Sequence, residues 1–290
     1  MSGVWAIAIH GGAGPLRKDD YSAAEQHLAE TLEVAKESLE AGKGALDVAQ
    51  AAVMELEECG HHVAGRGASP NALGQWELDA AIMDGATRNA GAVAALRGYR
   101  SPISAARLVM EKSHHLMLVG KGAAHFLKDF KLRRVWNPRD YYCPSVTRPV
   151  AEGELAHGTV GAVVLDRQGR LASATSTGGL LGKMPGRVGD TPILGAGTWA
   201  DERVAVSCTG QGEYFMRAAV AADVSARVRY GQASLRTACE AALQDVAFLG
   251  GDGGLIAVDV LGNVEMPFLS EGMKRGCATS TGRFDVAVWP

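Results

Sequence analysis

Three threonines in the second half of this 290-residue chain each stand beside glycine: Thr159 in HGTVG, Thr177 in STGG and Thr209 in CTGQG. A threonine hydroxyl is a poor nucleophile unless a base takes its proton. A cut before Thr159 would make that residue's own α-amine the base. With a pKa of about 8, such an amine is partly unprotonated at neutral pH. The same residues also read as ordinary β-formers at strand ends, and composition by itself favours that plainer reading.

The elements that would position these threonines follow from periodicity. VWAIAIH (4–10) alternates as a strand and ends in the turn GGAG (11–14). Ser22 and Glu25 are spaced as a capping box ahead of Ala24, Leu28, Leu32, Ala35 and Leu39, one face of a helix. Leu46, Ala49, Val53 and Leu56 mark a second helix that stops near Gly60. WELDAAIMDG (76–85) and AGAVAAL (90–96) predict a hairpin. Pro102 opens a helix to about Lys112, and a short strand and another helix follow. From Arg133 to Gly158, three prolines, mixed charge and no period predict an exposed linker.

Beyond the linker, TVGAVVLD and RLASATS are two strands joined at DRQG. RVAVSCTG (203–210) is another strand, and helices follow at about 212–229 and 234–248. The strand pair LIAVDV and NVEMPF and a final strand FDVAVW complete the chain. Grouped strands with one-faced helices imply two packed sheets covered by helices on both outer sides, in one fold rather than two domains.

Composition narrows the function classes. A hydrophobic share of 47% and a charged share of 21% describe an ordinary globule, and a net charge of −3 gives no reason to expect nucleic acid. The opening MSGVWAIAIHGG carries no basic segment, and its apolar run is too short for a signal or membrane span. Five cysteines without a C-x-x-C pair read as reduced thiols, with Cys208 and Cys239 in the core. A cytoplasmic protein is the expectation.

Several motifs fail on their own chemistry. GGLLGKM (178–184) lacks the hydroxyl after Lys183 that a phosphate loop needs for magnesium. GAGTWA (195–200) leads into a strand, so no helix dipole stands ready for a pyrophosphate; it reads as a turn. HGGAG (10–14) looks like a lipase oxyanion loop, but no G-x-S-x-G elbow accompanies it. The pairs His61–His62 and His114–His115 lack a third ligand at useful spacing, so no metal site is expected.

Taken in order, IHGGAG, ELDAAIMDG, AGAVAAL, SPISAARLVME, HGTVGAVVLD, ATSTGG, KMPGRVGDTPILGAG, AVSCTGQGE and GGDGGLIAVD cover nearly the whole chain. Their combination resembles the plant-type asparaginases, or isoaspartyl peptidases, of the N-terminal nucleophile (Ntn) hydrolases. The resemblance implies an α+β fold, a four-layer αββα sandwich built as one domain over 1–290. It also implies self-cleavage between Gly158 and Thr159 into an α subunit (1–158) and a β subunit (159–290). Glycine suits that step, because without a Cβ it tolerates the strain that brings a hydroxyl onto the preceding carbonyl.

By the same resemblance, Thr159 is the nucleophile and its amine the base, and Thr177 orients it. Thr209, through its hydroxyl, and Gly210, through its N–H, form the oxyanion hole. Arg187 and Asp190 hold the α-carboxylate and α-ammonium of a free aspartyl backbone, so L-asparagine and β-aspartyl dipeptides are the implied small-molecule substrates. Relatives pair two αβ units and bind sodium on backbone carbonyls of the loop matching Leu56–Arg66, with no other cofactor.

Two departures bear on cleavage: a short linker before Thr159, which would change its kinetics but not its site, and a changed loop after the second helix. The family's N-A-G-x-G reads VAGRG here, so Val63 replaces an asparagine that helps hold the nucleophile, and slower self-cleavage and turnover are expected. Glycosylasparaginase and threonine aspartase, the nearest alternatives, carry aspartate where this chain has Gly158. Val63 also leaves open a non-catalytic binder of aspartyl compounds. A nucleotide-binding protein is weakened by the failed loops.

Overall fold

The structure, a computed structural model, describes residues 3–14, 20–145 and 158–290. In chain order it runs β1 (Ala6–Ala13), α1 (Ser22–Glu40), α2 (Ala45–Glu58), β2 (Leu78–Asp84), β3 (Ala90–Leu96), α3 (Pro102–Lys112), β4 (Met117–Val119), α4 (Gly120–Leu127) and α5 (Pro138–Tyr141). Next come β5 (Thr159–Leu165), β6 (Leu171–Thr177), β7 (Thr198–Ala200), β8 (Val204–Gly210), α6 (Gly212–Ala218), α7 (Val220–Arg229) and α8 (Leu235–Phe248). The chain closes with β9 (Gly253–Asp259), β10 (Val264–Glu265), β11 (Met273–Thr279) and β12 (Phe284–Ala287).

The strands form an eight-stranded sheet, β12-β11-β1-β5-β6-β2-β3-β4, and a four-stranded sheet, β10-β9-β8-β7. α1, α2 and α3 cover the large sheet, α7 and α8 cover the small one, and β1, β5 and β6 face β8 and β9 across the middle. This is the mixed α/β, four-layer arrangement expected of an Ntn hydrolase. First-half strands β1 and β2 flank second-half strands β5 and β6, so strands from the two halves alternate in one sheet.

Side-chain parity along the strands explains the layers, because successive residues point to opposite faces. On β5 and β6, Val160, Ala162, Val164, Ala172 and Ala174 join Leu28, Leu32, Leu39 and Val53 in the core under α1 and α2. Val204, Val206 and Cys208 of β8 turn the other way, toward Val224, Ala238 and Leu243 of α7 and α8. The alternate residues of β5, β6 and β8 therefore face the gap between the sheets. Val163, Leu165 and Leu171 at one end of the gap join an apolar cluster, and the others, Thr159, Gly161, Ser173, Thr175, Thr177, Ala205, Ser207 and Thr209, are small or hydroxylated.

Several local expectations are corrected. Ser22 is the first helical residue and not the cap; its N–H is held by Asp20 Oδ1 at 2.9 Å. β1 continues through the expected GGAG turn, carried by a bulge between His10 and Gly12. The helix expected over 212–229 is two, broken at Ala219, which sits at φ 48°. β7 replaces part of the turn expected at 195–200. β11 was not foreseen, because MKRGCAT has no apolar alternation. Within the linker, Val135 and Tyr142 are buried, and Tyr142 stacks on Trp76 with ring centroids 4.8 Å apart. The rest of that linker, 146–157, lies outside the described residues.

Candidate active site

Thr159 opens β5 and Thr177 closes β6, and antiparallel pairing sets the two directly opposite each other. Their hydroxyls meet, Thr159 Oγ1 donating to Thr177 Oγ1 at 3.3 Å. Thr177 Oγ1 in turn accepts the Gly179 N–H at 3.0 Å, which fixes the rotamer of the second hydroxyl. Both residues are buried.

The carbonyl of Thr159 is held from β1. His10 Nδ1 donates to it at 3.1 Å, and His10 Nε2 accepts from Ser207 Oγ at 2.9 Å. A single neutral tautomer satisfies both contacts. Burial pushes His10 down to about 3, so the ring stays uncharged at working pH. Ser207 continues the chain to Thr175 Oγ1 at 2.8 Å, and Thr198 Oγ1 lies 2.7 Å beyond. A side chain at Gly161 would enter this network, since its Cβ would collide with Ser207 Oγ and His10 Nε2.

Gly158 packs against the loop after α2. A Cβ there would collide with the Val63 side chain and stand 2.7 Å from Val63 N, so the close approach requires glycine. Val63 is buried, and its carbonyl accepts the Gly178 N–H at 2.7 Å. Thr209 is the penultimate residue of β8, and its Oγ1 accepts the Ala13 N–H at 3.3 Å. At Gly210 a Cβ would come 2.5 Å from the Asp252 carbonyl and 2.6 Å from Phe215.

Arg187 and Asp190 lie on the loop between β6 and β7. Arg187 makes a bidentate pair with Glu213, both contacts at 2.9 Å. Asp190 is buried, and its Oδ2 has no hydrogen-bond partner among the described residues. Gly197 and Gly212 cradle this carboxyl; a Cβ on either would come 2.8 Å from one of its oxygens. Burial pushes Asp190 up to about 7, opposed by the nearby Arg187 guanidinium. Backbone contacts tie this loop to β8: Gly197 N–H donates to the Asp190 carbonyl at 3.1 Å, and Cys208 N–H to the Gly197 carbonyl at 2.9 Å. Thr209 is the next residue.

Sequence reasoning missed His10, Ser207 and Glu213 as neighbours of this site. A polar residue inside the apolar run AIAIH is the one local signal for His10. Ser207 needed strand parity across both sheets, and Glu213 offers no signal at all. Beside His62, which the sequence reads as lacking a third ligand at useful spacing, the fold sets side chains from elsewhere in the chain. His27, Cys59 and His62 bring potential ligand atoms within 4.8 Å of one another. His27 comes from α1, 35 residues before His62 (62 − 27), beyond the reach of a spacing motif.

At the loop expected to hold sodium, two glycines lie close to backbone carbonyls. A Cβ on Gly67 would collide with the His62 carbonyl and stand 2.9 Å from that of Gly60, and Gly65 crowds the Glu57 carbonyl.

Comparison with known proteins matches this architecture. A family model described as asparaginase (Asparaginase_2) fits residues 3–143 and 139–288. The chain is 47% identical to an isoaspartyl peptidase of Salmonella typhimurium, covering 93% of each chain. It is 46% identical to the isoaspartyl peptidase of Escherichia coli, over 93% of this chain and 91% of that one. A plant-type L-asparaginase of Thermococcus kodakarensis is 37% identical over 89% and 91% of the two chains. With both halves matched and nearly the full length aligned, this chain belongs to the asparaginase family.

Proposed function

We propose that this chain is an autocleaving threonine amidohydrolase acting on L-asparagine and β-aspartyl dipeptides, with Thr159 as its nucleophile. The observation that carries this reading is the register of β5 and β6, which sets the Thr159 hydroxyl 3.3 Å from Thr177 immediately after Gly158. Relatives at 47% and 46% identity bear the name isoaspartyl peptidase, which supports the substrate class.

In the precursor, the Thr159 hydroxyl attacks the Gly158 carbonyl carbon. The Gly158–Thr159 C–N bond breaks, the hydroxyl proton passes to the nitrogen, and water hydrolyses the resulting ester. The products are an α subunit 1–158 and a β subunit 159–290. The new amine then takes the Oγ1 proton as that oxygen attacks the substrate's side-chain amide. Thr209 Oγ1 and the Gly210 N–H donate to the developing oxyanion, each donor contributing about 3 kcal/mol. Ammonia or the peptide amine departs with the proton, and water releases aspartate from the acyl-threonine.

Arg187 exchanges Glu213 for the α-carboxylate, and the unpartnered Asp190 oxygen receives the α-ammonium. Carbonyls of the 56–66 loop would hold sodium, which would brace the loop beneath Gly158 and take no part in the chemistry. Two αβ units pair, as in the family pattern, and buried thiols at Cys208 and Cys239 suit a reducing, cytoplasmic setting.

A denaturing gel of freshly purified protein tests the reading: two fragments are expected, one with the N-terminal sequence TVGAVV. A second reading, a binder that never matures, is favoured by one contact, the apolar Val63 side chain against Gly158. An uncut, inactive chain that binds asparagine in a calorimeter would replace the first reading with the second.

A further inference from the structure

Beside the carbonyl-lined loop, three side chains from separate parts of the chain aim at one point. His27 comes from α1, Cys59 caps the C-terminal end of α2 and His62 lies in the loop that follows. Their potential ligand atoms all lie within 4.8 Å of one another. Around a tetrahedral zinc ion at about 2.0–2.3 Å from each donor, neighbouring ligand atoms stand roughly 3.3–3.8 Å apart. Rotamer adjustment of about an ångström closes the difference.

The two imidazoles already have the form of metal ligands. His62 is buried, and its Nδ1 donates to the Gly11 carbonyl at 3.1 Å. That bond puts the proton on Nδ1 and the lone pair on Nε2, the orienting role that a carbonyl plays behind a metal-binding histidine. Nε2 is buried with no hydrogen-bond partner among the described residues, and so is Nδ1 of His27. Leaving such atoms without a partner is costly in a folded protein, and both belong to residues whose potential ligand atoms lie within 4.8 Å of the Cys59 thiol.

Cys59 supplies the third donor. Its Sγ donates to the Leu56 carbonyl at 3.3 Å and accepts the His61 N–H at 3.4 Å. On metal binding the thiol proton would go to solvent, and the His61 N–H would remain to hold the thiolate. The buried Lys274 ammonium acts on both Cys59 and His62, and Glu30 and Glu55 act on His27. Charges of both signs thus surround the cluster, and a thiolate offsets part of an incoming dication.

We propose that His27, Cys59 and His62 form a side-chain site for a zinc-class divalent cation, with water as fourth ligand on the exposed side near His61. One thiolate and two imidazoles select a borderline metal over sodium, magnesium or calcium, so the site is chemically distinct from the loop's carbonyls. It pins α1, the end of α2 and the 59–62 turn together, and it reaches β1 through the His62–Gly11 bond. The next residue, Val63, is the one that packs on Gly158.

Chelator-treated full-length protein is titrated with Co²⁺ alone and then with Zn²⁺. One cobalt should bind per chain, with a thiolate-to-cobalt charge-transfer band in the near ultraviolet and strong visible bands of tetrahedral geometry. Zinc should displace it and, at a free concentration about 100 times its Kd, raise the thermal midpoint by about 4 °C. Cys59→Ala should abolish the charge-transfer band. His27→Gln, on the partly exposed face of α1, should keep its circular dichroism yet bind cobalt at least about tenfold more weakly. The site is overturned by a wild-type cobalt spectrum without the thiolate band or by a band that survives Cys59→Ala. It is equally overturned by a folded His27→Gln that binds as tightly as wild type. None of these readouts depends on catalysis.

Discussion

The two ends of the candidate active site are built on opposite principles. At the nucleophile end, Thr159, Thr177, His10, Ser207 and Thr175 form a neutral hydrogen-bonded chain fixed by sheet register. At the other end, Arg187 is paired with a half-exposed Glu213, and Asp190 keeps a buried oxygen with no hydrogen-bond partner among the described residues. Neutral groups are inexpensive to bury once mutually bonded, so the reacting hydroxyl can be prepared in advance. Charges are costly to bury without a counter-charge: Arg187 has one in Glu213, and burial pushes the Asp190 carboxyl up to about 7.

Breaking the neutral end should have the largest effect. Thr159→Ala should remain a single chain on a denaturing gel and lose asparaginase activity by about 10⁴-fold or more. A cleaved or active Thr159→Ala protein would remove the nucleophile assignment. Breaking the charged end should be less severe and should leave maturation intact. Asp190→Ala should still give two fragments, with kcat/KM for asparagine down by about 10²–10³-fold through the lost ammonium contact.

The pH profile sharpens the comparison. Asp190 is raised to about 7 by burial, so its carboxylate is lost as pH falls through that value. The α-amine of the mature enzyme is lost in the same direction, around pH 8. Log kcat/KM should therefore fall with a slope of about two below pH 7 and about one between the two values. Asp190→Asn should leave a slope of about one throughout; an unchanged profile would mean that Asp190 is not the titrating group. The smallest expected effect is at Glu213, whose partly exposed pair with Arg187 contributes about 1 kcal/mol or less. Glu213→Gln should lower KM for asparagine by a factor of about two to five, with kcat unchanged.

Maturation offers a separate comparison between Gly158 and Val63. Gly158→Ala would drive a methyl into Val63 and should slow self-cleavage by at least about tenfold on a gel time course. Val63→Asn, which supplies an amide beside Gly158, should speed it.

Legibility from sequence followed the range of the forces involved. Period-two alternation marked β5, β6 and β8, and period 3.6 marked α1, α2 and α8, because each repeat reports one buried face. The resemblance singled out Thr159, Thr177, Thr209, Gly210, Arg187 and Asp190, and the structure brings Thr159 and Thr177 into direct contact. It links Asp190 to β8 through Gly197, while Arg187 faces Glu213. β11 escaped notice because it is ordered by its neighbours β1 and β12 and carries no pattern of its own. The break at Ala219 was hidden inside a continuous helical period.

What the sequence determined by itself was local: which segments extend, which coil, which faces are apolar, and that glycine precedes the first threonine of β5. Tertiary structure decided everything that required two distant segments to meet. It set His10 against the Thr159 carbonyl, 149 residues away, and gathered His27, Cys59 and His62 at one point. Propensity and periodicity act between residues a turn or a strand step apart. A hydrogen bond or a ligand cluster between separate elements is fixed only when the sheets and helices pack, and no repeat in the chain encodes it.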